Sequence, residues 1–194
     1  MTLYKNKYRS ESTRAQWWDY GWAAAYFVTI CTKDRRHYFG EVNDGKMNLT
    51  PIGAIADVLW HEIKNRANHV ELDEFVVMPN HIHGILVLKN DSPSAGTGHA
   101  PVVVGTGHAL SLQQPGIQPG QKRFQNPGKN TLSSIVGSYK SAVTRHSRRL
   151  GFKFEWQSRF HDHIIRDDLS YQRIARYIKT NPENWKDDTF NSGL

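Results

Sequence analysis

The sequence predicts an α+β fold in which strands and helices follow one another as βαββαβ, with one further helix near the C-terminal end. Three observations predict it. Runs rich in β-branched and aromatic residues occupy positions 26–32, 70–78 and 81–88. Apolar residues recur at helical spacing over 51–67 and again over 131–150. The chain has 194 residues, which is enough for one domain with its own core.

The first four elements follow from local signals. YFVTICT at 26–32 is typical of a strand. Thr50 is placed to cap a helix that Pro51 opens, and helical spacing carries this helix to about residue 67. The apolar positions are Ile52, Ile55, Leu59 and Ile63. The two runs 70–78 and 81–88 flank Pro79-Asn80, a turn pair, and therefore predict a tight hairpin with His81 at its mouth.

The second half completes the pattern. Residues 131–150 predict a helix whose apolar side is formed by Leu132, Ile135, Tyr139 and Val143. Residues 160–165 predict the last strand. Asp167 or Asp168 can cap a final helix that runs to residue 181 and stops at Pro182. This order of elements predicts a ferredoxin-like antiparallel sheet with an appended C-terminal helix.

Two segments fall outside this pattern. Residues 1–22 are basic and aromatic without a clean period, which indicates an N-terminal extension of a single domain at 23–194. Residues 89–130 hold 7 of the 15 glycines and 5 of the 8 prolines, and they repeat GTGHA. This composition predicts a loop insert within the domain.

Composition and charge narrow the classes of function. The net charge of +7 and the pI near 9.5 favour a partner with phosphates, although basic charge also simply keeps proteins in solution. No apolar run reaches the ~18 residues of a membrane span, and residues 1–14 lack the apolar run of a secretory signal. The single cysteine, Cys31, excludes an internal disulfide and a thiolate zinc site. We therefore expect a cytoplasmic protein.

A histidine pair is the sharpest local feature. In PNHIHGIL, His81 and His83 stand two residues apart on a strand and so point to one face, where two imidazoles can hold one cation. Ile82 points into the core and anchors the strand. A histidine pair at the mouth of a hairpin can also be purely structural.

The last helix carries the second feature. Tyr171, Ile174 and Ile178 form its apolar face, while Tyr177 lies off that face with Arg173 at i−4 and Asn181 at i+4. Tyr177 is either an ordinary surface tyrosine or a nucleophile. A phenol with a pKa of about 10 attacks a phosphodiester poorly unless a metal polarises the phosphate. An Asn181 oxygen would add a ligand on the helix that carries the nucleophile.

These motifs resemble those of the HUH-type single-tyrosine transposases, namely the insertion-sequence transposases and their REP-associated tyrosine relatives. The resemblance covers AYFVTICT, VVMPNHIHGIL, GSYKSAVTR and the segment from HDHIIRDD to YIKTNP, but not residues 91–128. It implies Tyr177 as nucleophile and His81, His83 and Asn181 as metal ligands. It also implies Mg²⁺ or Mn²⁺ as cofactor, a homodimer, single-stranded DNA with hairpin ends as substrate, and a 5′-phosphotyrosine intermediate.

Several cationic and aromatic residues are candidates for contact with DNA. The basic side of the 131–150 helix offers phosphate contacts, the N-terminal extension mixes cations with stacking rings, and two more candidates lie near the last helix. The candidates are Lys140, Arg145, Arg148, Arg149, Arg173, His163, Arg14 and Trp18. The N-terminal residues can equally pack on the core, and His163 can be a structural histidine.

Two rival functions remain. A catalytically silent protein of the same fold could bind single-stranded DNA at repeats without cutting it, although all four candidate site residues are present. A mononuclear metal enzyme of the cupin type is disfavoured, since no carboxylate follows His83 before Asp91 and helices flank the hairpin.

Overall fold

The structure, a computed structural model, describes residues 3–4, 7–8, 18–89 and 130–191. Its strands are β1 (Leu3–Tyr4), β2 (Lys7–Tyr8), β3 (Ala24–Cys31), β4 (Gly40–Asn43), β5 (Lys46–Leu49), β6 (Val70–Val77), β7 (His81–Leu88) and β8 (His161–Ile165). Its helices are α1 (Pro51–His61), α2 (Ile63–Arg66), α3 (Leu132–Arg149) and α4 (Asp168–Thr180). Short 3-10 turns lie at Lys33–Arg35 and Trp185–Asp187.

The central sheet confirms the predicted fold class. Its strand order is β6-β7-β3-β8, and every neighbouring pair is antiparallel. In chain order these are the second, third, first and fourth strands of βαββαβ, which is the ferredoxin-like arrangement. The β6–β7 hairpin turns at the predicted Pro79-Asn80 pair, where the Met78 N–H donates to the His81 carbonyl at 2.9 Å.

The helix starts follow the capping signals of the sequence. The Thr50 side chain accepts a hydrogen bond from the Gly53 N–H at 3.1 Å, and Pro51 opens α1. Thr131 and Ser134 form a reciprocal capping box at the start of α3. The helix predicted to run to residue 67 is divided in two, because it is interrupted at Glu62 between α1 and α2.

The two faces of the sheet have different partners. Helices α1 and α3 pack against each other and against the face that carries Ile82 and Leu86, which are fully buried. Helix α4 contacts β6 and β7 and buries Ile178 in a smaller cluster with Ala25, Ile85 and Ile165. Residues along β7 alternate between these faces. The α4 face therefore also carries His81 and His83.

Gly84 permits close packing behind the histidine strand. The Trp60 ring of α1 lies so near that a Cβ on Gly84 would come within 2.3 Å of the Trp60 ring. Trp60 itself is fully buried and stacks on Phe75 with 4.6 Å between ring centroids. The strand that carries the histidines is thus supported from behind by a large, fixed ring.

Some elements differ from the predictions or lie beyond them. The β4–β5 hairpin was not predicted, although Asp44-Gly45 at its turn is a hairpin signal and both residues have positive φ. Residues 18–22 of the predicted extension pack on the core through Trp18, Tyr20 and Trp22. Apart from its two end residues, the predicted insert lies outside the described residues. Among the described residues, no helix is both long and apolar enough to cross a membrane.

Candidate metal and nucleophile site

The two histidines lie together on the α4 face of β7. His81 is 0% and His83 1% exposed, and their ring centroids are 4.4 Å apart. Strand parity places them on one face, as the sequence predicted. Both rings are therefore held side by side beneath the C-terminal part of α4.

Asn80 fixes the orientation of His81. The Asn80 Nδ2 donates to the carbonyls of Arg35 (3.1 Å) and Phe190 (2.8 Å), so its Oδ1 must face the His81 Nδ1, which is 2.9 Å away. An amide oxygen only accepts, so the His81 Nδ1 carries the proton and donates it. The His81 Nε2 is then the lone-pair nitrogen. It is buried and has no hydrogen-bond partner among the described residues.

Thr29 of β3 holds His83 in a similar way. The Thr29 Oγ1 lies 2.9 Å from the His83 Nδ1, and the two residues are register partners across the strands. When the Nδ1 donates to this hydroxyl, the His83 Nε2 also presents a lone pair. It faces the Tyr177 hydroxyl at 3.2 Å. Both imidazoles thus turn the same nitrogen toward the site, which is the arrangement of metal-binding histidines.

Burial keeps both imidazoles neutral. Burial lowers the pKa of His81 from 6.5 to about 3, with a further contribution from the Arg35 charge. Burial also holds the pKa of His83 well below 6.5, and His81 lowers it further. Metal ions bind the neutral form of histidine, so no proton has to be displaced near pH 7.

Tyr177 lies off the apolar face of α4, as predicted. Its side chain is 41% exposed, and its hydroxyl contacts the His83 Nε2 and the Asp188 Oδ2, the latter at 3.4 Å. Partial burial, and then the negative charge of Asp188, raise the pKa of Tyr177 to about 12. The phenol is therefore protonated near pH 7. Tyr171 instead packs in the cluster with Ile178, which confirms the predicted apolar face.

Two oxygen-bearing side chains complete the cluster. Asn181 is 1% exposed, and its Nδ2 donates to the Asp188 Oδ2 at 2.9 Å. Its Oδ1 is buried, and the part of the chain that the structure describes offers it no hydrogen-bond partner. His81, His83 and Asp188 each offer a ligand atom, and these atoms all lie within 4.8 Å of one another.

This donor set fits a divalent metal ion. Two neutral imidazoles with carboxylate and amide oxygens suit divalent transition metals, including Mn²⁺. The His81 Nε2 and the Asn181 Oδ1, which are buried and unpartnered among the described residues, are polar atoms that a cation would satisfy. Sequence reasoning named His81, His83 and Asn181 as candidate ligands but did not name Asp188. It lies seven residues beyond Asn181, past a 3-10 turn, where no periodic pattern indicates the direction of a side chain.

The candidate DNA-contacting residues are dispersed. Three of them, Lys140, Arg145 and Arg148, line one groove on α3. Arg149, Arg173 and His163 are exposed on α3, α4 and β8, and Arg14 lies outside the described residues. Trp18 is 4% exposed and its Nε1 donates to the Tyr26 hydroxyl at 3.0 Å. This corrects the expectation that Trp18 stacks on DNA, because its ring is part of the core.

Comparisons with known proteins agree with this fold. No protein-family model matches the chain. The chain is 33% identical over 178 residues to an uncharacterized protein of Haemophilus influenzae, covering 91% of this chain and 90% of that protein, so the two belong to one family. A solved REP-associated tyrosine transposase bound to a REP hairpin aligns with 90% of this chain and 74% of its own. The TM-score is 0.55 and the sequence identity 20%.

The chain has the fold of this solved tyrosine transposase. At 20% identity the likeness to the solved structure concerns the path of the backbone. The chemistry assigned to Tyr177, His81 and His83 therefore has to be argued from the contacts of this chain. One of these contacts joins the Tyr177 hydroxyl to the His83 of its own β7.

Proposed function

We propose that the protein is a metal-dependent transposase or nickase that cleaves and rejoins single-stranded DNA through Tyr177. One observation carries the proposal. The Tyr177 hydroxyl lies 3.2 Å from the His83 Nε2, at the edge of a buried group of neutral imidazoles and oxygens that fits a cation. A tyrosine on the polar side of a helix has no structural need for that contact. A hydrolytic nuclease, which uses only water and metal, has no need for the tyrosine.

The metal would be held by the Nε2 atoms of His81 and His83 together with an oxygen. Asn181, the ligand that the family resemblance implies, and Asp188, the carboxylate found in the cluster, are the two candidates for that oxygen. We propose Mg²⁺ or Mn²⁺, which accept oxygen ligands readily. When bound, such an ion polarises phosphate oxygens and stabilises the charge that develops on them.

The chain's own residues supply the nucleophile and its proton acceptor. The Tyr177 oxygen attacks the phosphorus atom, and the bond between phosphorus and the 3′ oxygen breaks. The Asp188 carboxylate, 3.4 Å from the phenol oxygen, is placed to take the phenol proton, and the departing 3′ oxygen gains a proton from solvent. The products are a 5′-phosphotyrosine and a free 3′ hydroxyl. Attack by another 3′ hydroxyl reverses the step, so that rejoining needs no ATP.

A denaturing gel with 3′-labelled single-stranded DNA and Mn²⁺ tests the nucleophile. Wild type should give a protein–DNA band, because the labelled 3′ fragment carries the 5′ phosphate. Tyr177→Phe should abolish the band, whereas the matched variant Tyr171→Phe should keep it, since Tyr171 packs on the apolar face of α4. A band that persists in Tyr177→Phe would overturn the assignment. DNA binding without any band in wild type would instead indicate the catalytically silent alternative.

Calorimetry with Mn²⁺ tests the ligand set. The double variant His81→Ala/His83→Ala should lose binding, and unchanged binding would refute the site. Asn181→Ala and Asp188→Ala then separate the two candidate oxygens. Replacing the residue that supplies the metal ligand should weaken Mn²⁺ binding about tenfold or more. Replacing the other residue should affect Mn²⁺ binding only through loss of the hydrogen bond between Asn181 and Asp188.

The DNA partner and the assembly are further parts of the proposal. The solved transposase that resembles this chain is bound to a REP hairpin, which supports single-stranded DNA with hairpin ends as the substrate. Blunt duplex DNA should bind more weakly than single strands. The homodimer stays a prediction from family resemblance. The contact of Tyr177 with His83 of its own chain supports cleavage by a single copy. Sedimentation at micromolar concentration tests whether a second copy is present.

A further inference from the structure

A basic groove lies on the other side of the sheet from the histidines. It is formed by α3 and the Trp156 ring, has a volume of about 300 Å³, and is lined by Lys140, Ser141, Thr144, Arg145, Arg148 and Trp156. We refer to it as the Trp156 groove. Helix α3 packs with α1 on the face opposite to α4, so the groove is separate from the Tyr177 site.

The Trp156 ring is held in a fixed orientation. Its Nε1 donates to the Lys140 carbonyl at 3.1 Å, and its ring meets Phe154 and Phe39 at centroid distances of 4.8 and 5.4 Å. The Trp156 backbone also forms an isolated bridge with Thr32, just beyond β3. A ring fixed in this way loses little conformational entropy when a flat ligand stacks on it.

The charges around this ring are positive. Arg145 and Arg148 are exposed, stand one helical turn apart, and make no ion pair within the described part of the chain. Among the described residues no acidic side chain lines the groove, and the neighbouring Glu155 is already paired with Lys33 at 2.9 Å. Lys140 is half-buried, and its ammonium donates to the carbonyls of Gln157 and Ser158. Lys140 therefore holds the Trp156 loop in place, and the two arginines remain for a ligand.

We infer that the Trp156 groove binds single-stranded DNA, with an unpaired base stacked on Trp156 and the flanking phosphates on Arg145 and Arg148. Proteins bind unpaired strands without sequence preference by combining aromatic rings, on which bases stack, with cationic guanidinium groups. An acidic peptide would use the arginines but not the ring. The inference rests on the proposed function for the identity of the nucleic acid. Since the groove lies away from Tyr177, it would hold a part of the DNA other than the phosphate that is cut.

The charge test compares two double variants in the full-length Tyr177→Phe protein, so that no cutting interferes. Arg145→Gln/Arg148→Gln removes the groove cations. Lys64→Gln/Arg66→Gln removes two exposed cations from α2 and is the matched control. Fluorescence anisotropy with a labelled 20-mer of mixed sequence is recorded from 50 to 200 mM NaCl. The groove variant should lower the slope of log affinity against log salt by roughly 1.4, at about 0.7 per phosphate contact. Equal slopes for the two double variants would overturn the inference.

The stacking test uses Trp156. Trp156→Leu should weaken binding of the 20-mer roughly five- to a hundredfold, whereas Trp156→Phe, which keeps an aromatic ring, should retain most of the affinity. Thermal melts of both variants verify that each is folded. If Leu and Phe weaken binding equally although both proteins are folded, the ring does not stack on a base and the inference fails. It also fails if a polyglutamate peptide displaces the DNA as well as an unlabelled 20-mer does.

These outcomes are independent of the cleavage assay. Loss of binding in the groove variants together with no covalent band in wild type would uphold the groove and refute the proposed cleavage. A covalent band in wild type with unchanged binding in the groove variants would support the proposed cleavage and refute the DNA-binding role of the groove.

Discussion

The hydroxyl of Thr29 should control metal affinity from outside the ligand set. Thr29 is 4% exposed and makes one side-chain contact of note, the 2.9 Å hydrogen bond to the His83 Nδ1. Thr29→Val keeps the shape of the side chain but leaves the buried His83 N–H without an acceptor. That costs about 1–3 kcal/mol of folding free energy in the metal-free protein. It also releases the hydrogen bond that directs the His83 Nε2 lone pair into the site, which costs roughly 10- to 100-fold in metal affinity.

Two measurements test this expectation. Urea unfolding in EDTA gives the folding cost, and calorimetry with Mn²⁺ gives the affinity. Thr144→Val is the matched control, because its hydroxyl donates to the Lys140 carbonyl on α3, away from the histidines. The control should bind Mn²⁺ as wild type does. If Thr29→Val also binds Mn²⁺ with the wild-type dissociation constant, the Thr29 hydroxyl does not orient His83. The claim that this hydrogen bond directs the His83 Nε2 lone pair into the site is then refuted.

Two further predictions concern stability. In EDTA, unfolded His81 protonates near pH 6.5 while folded His81 does so near pH 3, so the unfolded state binds more protons between these values and stability falls as the pH falls. Wild type should therefore lose about 1.6 kcal/mol more than His81→Gln between pH 6.5 and 5.0 in urea unfolding, and parallel curves would contradict this. Gly84→Ala should cost about 1–3 kcal/mol by pushing a Cβ into Trp60, whereas Gly137→Ala, on the open side of α3, should stabilise by about 0.5–1 kcal/mol. Equal effects of Gly84→Ala and Gly137→Ala on the free energy of unfolding would show that the Trp60 ring moves aside without cost.

The sequence was sufficient for elements whose signals are local. Thr50 and Thr131 cap the helices that their positions predict, and the Pro79-Asn80 turn begins β7 at the predicted residue. The β4–β5 hairpin was missed although its Asp44-Gly45 turn is such a signal, because the strands beside it are short and largely exposed. Local chemistry thus predicted most of the fold, and short exposed strands marked the limit of what it could predict.

The residues of the candidate site likewise divide into those that local signals predict and those that depend on tertiary contacts. Strand parity placed His81 and His83 on one face, and helical spacing placed Tyr177 off the apolar side of α4. Both rules depend on regular backbone. Asp188 follows an irregular turn, so its position depends on how the chain folds back over α4, and only tertiary contacts such as that with Asn181 reveal it. The roles of Asn80 and Thr29 were hidden for a related reason, since hydrogen bonds to a histidine leave no periodic pattern.

The direction of β7 has a consequence for engineering. His81 opens the strand and Leu88 closes it, which separates them by about 23 Å at 3.3 Å per residue. Leu88 pairs with Ala24 and Val70, and the start of α3 is tied to Tyr20 nearby, so both ends of the 90–129 segment leave the described structure at the edge remote from the histidines. A fluorophore attached at Lys89, just beyond Leu88, would therefore stand at the edge of the sheet remote from the reaction centre.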